Sequence, residues 1–218
     1  MVIAKVALHT PCLCLVTDRK RVPEGTLAER VAQAVAGGVS LVIVREKDMA
    51  GGALLSLVRE VRGRLGGRTP VVVNERVDVA MAAHADGVHL GEEGLPVAEA
   101  RRLARESMLI GRSVHSVEGA RLAEREGASY LLFGTVFESA SHPGERPQGI
   151  AALREVVEAV RVPVLAIGGV TKANVAEVMA TGAAGAAVIA AMLEAEDVSQ
   201  AARELVEAMG ATAGAGTR

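Results

Sequence analysis

Eight times along the chain, a short run rich in Val, Leu and Ile is followed by an amphipathic stretch rich in Ala, Glu and Arg. Short runs that are apolar throughout suit strands buried on both faces, and the stretches between them carry apolar residues at helical spacing. The pattern predicts strands at about 13–17, 41–45, 71–74, 87–90, 109–113, 130–134, 164–168 and 185–190. Helices are expected at about 26–36, 53–64, 77–84, 97–105, 117–126, 150–159, 173–180 and 198–209, with Ser116 and Thr171 as N-caps and Gly127 and Gly182 at C-termini. Strands alternating with helices eight times make an α/β protein whose parallel sheet closes into a (β/α)₈ TIM barrel. An open doubly wound sheet would need a glycine fingerprint after its first strand, and "TDRKRVPEG" stands there instead. One domain is expected over residues 1–209, and the small, polar tail "GATAGAGTR" at 210–218 is expected to be disordered.

Composition narrows the function. The formal charge is -2 with no long run of one sign, which gives nucleic acid no electrostatic footprint. One Tyr, two Phe and no Trp are too few for a base-stacking surface. No run has the length of a membrane span and the N-terminus lacks a signal-peptide pattern, so a cytoplasmic protein is expected with no membrane partner. Cys12 and Cys14 are the chain's two cysteines, and two buried thiols in a reduced core are expected rather than a metal pair.

In a barrel of this kind chemistry sits where the strands end. Strand two ends "VREKDM"; alternation puts Arg45 on the face of Ile43, with Lys47 following, two cations suited to an anion. The competing reading is an ordinary charged loop. Strand three ends at Asn74, with Glu75 next, and Asn74 either reaches the mouth or caps the short helix that follows. Strand four carries His89 at its end, and strand five is followed by His115. After strand seven, Gly168 and Gly169 permit close backbone approach, and Ile189 and Ala190 at the end of strand eight offer N–H groups, the pair of loops that commonly holds a phosphate. The long segment after strand six, "TVFESASHPGERPQG", adds the hydroxyls of Ser139 and Ser141, and its His142 ordinarily titrates near neutrality. A loop of that length is expected to act as a lid or binding element.

Taken in order, "VREK", "NERVDVA", "ADGVHLG", "GRSVHS", "LLFGTVFES" and "VLAIGGVT" resemble the thiamin phosphate synthase and thiazole tautomerase superfamily over nearly the whole chain. The resemblance implies a (β/α)₈ barrel that works in the assembly of thiamin, and it is compatible with a homodimer. Two chemistries occur there. The synthase joins an aminopyrimidine diphosphate to a thiazole phosphate with Mg²⁺ and expels pyrophosphate; the tautomerase moves a proton on a thiazole phosphate carboxylate without metal.

Arg45, Lys47 and Asn74 match synthase pyrophosphate-binding residues, and Glu75 stands for its first metal-binding Asp. Three positions depart: Ile43 replaces a Gln, Gly94 replaces the second metal-binding Asp, and His142 replaces a Lys. The departures fall on the pyrimidine diphosphate side, while Ser139, Ser141, Gly168, Gly169, Ile189 and Ala190 keep the thiazole phosphate side. The expectation is therefore a thiazole tautomerase-like isomerase acting on a thiazole phosphate without a cofactor. Its base is expected to be His142, or else His115, with Thr135 as hydrogen-bond partner, because Thr135 stands where tautomerases resemble one another in having a His. The alternatives are the synthase itself, with Mg²⁺ at Glu75, and a non-catalytic thiazole phosphate-binding protein.

Overall fold

The structure is a computed structural model and describes residues 8–104, 106–139, 144 and 146–210. Eight parallel strands close into a barrel in sequence order. They are β1 (Cys12–Val16), β2 (Leu41–Val44), β3 (Val71–Asn74), β4 (Gly87–Leu90), β5 (Leu109–Val114), β6 (Tyr130–Phe133), β7 (Val164–Ile167) and β8 (Gly185–Val188). The helices are α1 (Leu27–Ala36), α2 (Gly51–Leu65), α3 (Val77–Ala82), α4 (Val97–Leu103), α5 (Val117–Arg125), α6 (Gly149–Ala159), α7 (Val175–Met179), α8 (Ala190–Leu193) and α9 (Val198–Gly210). The TIM barrel expected from the alternation is the observed fold. Among the described residues no helix is long and apolar enough to cross a membrane.

The all-apolar strands serve two cores at once. Alternate residues such as Leu15, Val42, Val73 and Leu131 face outward and join the helices in one cluster. The residues between them, including Cys14, Leu41, Ile43, Leu132 and Leu165, fill the barrel interior as a second. Each fully buried aliphatic side chain contributes about 1.5–3 kcal/mol of transfer free energy. Cys12 and Cys14 are buried free thiols. Burial pushes the Cys12 thiol up to about 11, so it stays protonated.

Local signals account for several boundaries. Ser116 caps α5 by accepting from the Gly119 N–H at 3.0 Å. Gly127 and Gly182 take left-handed φ values of 92° and 86° after their helices. Thr171 does not cap a helix: α7 begins only at Val175, and Asn174 accepts from the Thr171 N–H at 2.8 Å, closing the turn before it. β8 stops at Val188 rather than 190, because the chain turns into the short α8 at the rim.

The interior is filled unevenly, small residue beside large. Gly185 pairs with Cys12 across β8 and β1, and a Cβ there would collide with the Cys12 backbone. Backbone cannot yield as a side-chain tip can, so Gly185→Ala should destabilise the barrel by about 3 kcal/mol in urea unfolding. A loss below about 0.5 kcal/mol would mean that the two strands separate freely.

Candidate active site

Beyond the C-terminal ends of the strands lies a cavity of about 490 Å³. Its floor is apolar, formed by Val16, Ile43, Leu132, Ile167 and Ala187. Arg45, Lys47, Asn74, Glu75 and His89 line one side. Ser113 and His115 follow from β5, and Thr135, Ser139, Gly168, Gly169, Ile189 and Ala190 line the other side. The strand ends thus bring the expected residues to one mouth, apart from Ser141 and His142, which lie outside the described residues.

The cationic side is sorted by strand alternation. Arg45 and Lys47 reach the cavity, while Glu46 turns the other way and is only 6 % exposed. Glu46 accepts from the Thr17 hydroxyl at 2.7 Å and from the Arg19 backbone N–H at 3.1 Å. The Arg19 guanidinium bridges Glu46 at 3.2 Å and Asp48 at 2.5 Å, and it holds the Asp48 carboxyl well below the usual carboxylate range. The Thr17 hydroxyl also accepts from the Arg45 N–H at 3.0 Å. Two carboxylates are thereby tied to Arg19 instead of neutralising the cations beside them. Thr17 and Arg19 were legible in the first strand end, "LVTDR", but only a scan of that end for polar side chains would have found them.

Asn74 does not cap α3. That helix begins at Val77, with Arg76 at its N-cap making no side-chain cap bond, and Asn74 faces the cavity. Glu75 has a left-handed φ of 62°, which costs a non-glycine residue about 1–2 kcal/mol. The turn carries its side chain toward the β4 loop, where the carboxylate accepts from the Gly91 N–H at 2.5 Å. The carboxylate also fills the space above Gly94: a Cβ on Gly94 would overlap Oε2 and come within 2.9 Å of Oε1. The longer acid at 75 and the missing side chain at 94 therefore depend on each other.

His89 is buried, and its Nε2 lies 2.9 Å from the Ser113 hydroxyl. Burial, with the nearby Arg112 and Arg45 cations, pushes its pKa down to about 3, so the imidazole is neutral. His115 is half exposed, its Nδ1 2.5 Å from the Glu92 carboxylate. Thr135 is 8 % exposed, and its carbonyl accepts from the Gln148 N–H at 2.8 Å. Gly168 and Gly169 have φ of 96° and 64°. A Cβ on Gly168 would come within 2.8 Å of the Thr135 Cα, and one on Gly169 would strike the Glu138 carbonyl. Close packing of the β6 loop therefore demands both glycines, whatever they also bind. Ala190 and Ala191 open α8, their amides have no acceptor within that helix, and both residues line the cavity.

Comparison with known proteins bears on the chemistry. The family profile described as "Thiamine monophosphate synthase" matches residues 13–192. A thiamine-phosphate synthase of Chlorobium luteolum is 40% identical over 213 residues, 96% of this chain and 98% of that one. A thiamine-phosphate synthase of Methanoculleus marisnigri is 45% identical over 197 residues, covering 88% and 92%. The solved thiamine phosphate pyrophosphorylase from Pyrococcus furiosus superposes with a TM-score of 0.85 at 39% identity, covering 93% of this chain and 97% of that one.

These matches overturn the isomerase expectation. That expectation read Gly94 and Ile43 as the loss of one substrate's site. Instead the Glu75 carboxylate occupies the space above Gly94, and the cations remain in the same cavity as the glycine lip. His142, or else His115, was expected as the base, with Thr135 as hydrogen-bond partner, for the isomerase reaction that these matches contradict.

Gly94→Asp should destabilise the chain by about 1–3 kcal/mol by driving a second carboxylate onto Glu75. Adding Glu75→Asp should recover most of that loss in urea unfolding; additive losses would contradict the shared space.

Proposed function

The chain belongs to the thiamine monophosphate synthase family, and on that premise we propose that it joins an aminopyrimidine diphosphate to a thiazole phosphate with release of pyrophosphate. The observation that carries this reading is the coexistence, in one cavity, of a cationic side and an amide-rich lip. Two phosphorylated substrates need two anion sites facing a shared reaction space.

In this reading Arg45 and Lys47 hold the diphosphate. Arg45 offers a planar donor fork and Lys47 a mobile point charge. Both gain strength as negative charge builds on the departing pyrophosphate, so they favour the transition state over the bound substrate. Asn74 donates from its amide beside them. The thiazole phosphate sits across the cavity, on the amides of Gly168–Gly169 and Ala190–Ala191, with Ser139 adding a hydroxyl. The apolar floor at Ile43 and Ile167 takes the flat faces of the two rings and keeps water from the diphosphate carbon.

The transfer forms a bond from a ring nitrogen lone pair and breaks a carbon–oxygen bond. No proton must be removed for that step, so a threonine at 135 leaves no gap in it.

The residues present fit Mg²⁺. Among the described residues there is no group of three or more potential ligand side chains, and Glu75 presents one carboxylate at the cavity wall. One or two carboxylates plus substrate phosphate oxygens and water are the usual Mg²⁺ set. When bound, the ion would neutralise charge on the leaving pyrophosphate. Glu75 would hold it, with Asn74 alongside.

Purified protein given both substrates and Mg²⁺ should release pyrophosphate and form thiamin phosphate in equal amounts. Arg45→Ala should lower kcat/KM for the diphosphate about 100-fold, and Glu75→Gln should raise the Mg²⁺ concentration for half-activity about tenfold. Saturating both substrates without any pyrophosphate release would sink the reading.

A further inference from the structure

Beneath the cavity three strands place His89, Gly111 and Tyr130 in one row. His89 on β4 pairs with Gly111 on β5, and Gly111 pairs with Tyr130 on β6. All side chains of this row face the barrel interior, and the glycine between them leaves a gap. The two rings meet across it, stacked with centroids 5.6 Å apart and 26° between planes. Both residues are buried, with His89 3 % exposed and Tyr130 fully covered.

Among the described residues two buried polar atoms there have no hydrogen-bond partner: His89 Nδ1 and the Tyr130 hydroxyl. Each lies 2.5 Å from the point that a Cβ on Gly111 would occupy, so both point into the same gap. A buried phenol must donate its proton somewhere, and a bare imidazole nitrogen is a far better acceptor than a thiol. The other polar neighbours of Tyr130 are the protonated thiols of Cys14 and Cys12. Among the described residues, Nδ1 is the unpartnered acceptor beside the space that the hydroxyl faces.

From this geometry we infer that the Tyr130 hydroxyl donates toward His89 Nδ1 and so fixes the neutral imidazole with its proton on Nε2, making Ser113 a hydrogen-bond donor to substrate. A neutral imidazole has one N–H and one lone pair. With Nδ1 accepting, Nε2–H donates to the Ser113 hydroxyl 2.9 Å away. Ser113 then accepts from below and turns its own O–H into the cavity that it lines. In the opposite tautomer Nδ1–H would donate to the phenol oxygen, leaving the phenol proton only a thiol as acceptor, and Nε2 would draw the Ser113 proton down. An anionic substrate would then face a lone pair instead of a donor. Tyr130, fully covered and outside the cavity lining, is a positioning residue in this scheme: through His89 it sets the polarity of the Ser113 hydroxyl.

That Ser113 serves a phosphate oxygen rests on the synthase reading; the tautomer does not. Imidazole-¹⁵N-labelled protein reports the tautomer directly, with His89 assigned among the five histidines by the signals lost in His89→Asn. The expected spectrum shows His89 Nδ1 as an unprotonated, pyridine-type nitrogen and Nε2 as a protonated, pyrrole-type one. The reverse pattern overturns the inference even if turnover is normal. Kinetics test the consequence: Tyr130→Phe, which keeps the ring, should lower kcat about fivefold in the parent chain and cause no further loss in Ser113→Ala. An equal loss in both backgrounds would assign Tyr130 a purely structural part and overturn the proposed relay.

Discussion

The two-residue period of a strand, imposed on eight strands that share one interior, governs this molecule. A side chain on a barrel strand has two destinations, the interior or the helix layer, and at the strand's end the interior direction opens into the mouth. The period carries Ile43 and Arg45 to the same side and sends Glu46 to the other. Arg19 then secures the arrangement by taking both acids, and among the described residues no carboxylate bridges Arg45 or Lys47. The same period stacks Gly111 below Ser113 and sets His89 and Tyr130 on either side of that glycine.

The barrel was legible because strands buried on both faces must be apolar throughout, and the helices between them must not be. Much of the mouth was legible too, since a closed parallel sheet leaves one rim for chemistry. What escaped was geometry that no spacing encodes. Strand β8 was expected to run to 190, but a run of small residues reads equally as strand or as the first turn of α8. The service of Thr17 and Arg19 to Glu46 joins residues from two strands and depends on their register. The gap at Gly111 is likewise invisible to a single strand's pattern, because it exists only between β4 and β6.

The reading of the reaction failed for a related reason. Matching positions one at a time records an acid lost at Gly94 and an acid lengthened at Glu75 as two separate events. In space they are one: the left-handed turn at Glu75 brings its carboxylate over Gly94, and the longer acid leaves no room for a side chain there. The packing demand at Gly168 and Gly169 carries the converse warning. Those glycines are required by the β6 loop pressed against them, so their presence alone says less about phosphate than the sequence suggests.

The account stands on the claim that the Arg45–Lys47–Asn74–Glu75 side of the mouth is a working diphosphate site despite Gly94. A crystal structure with the aminopyrimidine diphosphate and Mg²⁺ tests it most directly. The account predicts both phosphates against Arg45 and Lys47, with Mg²⁺ held at the Glu75 carboxylate. A diphosphate seated on the Gly168–Gly169 lip instead, with Glu75 still turned to the Gly91 amide and no ion beside it, would contradict it.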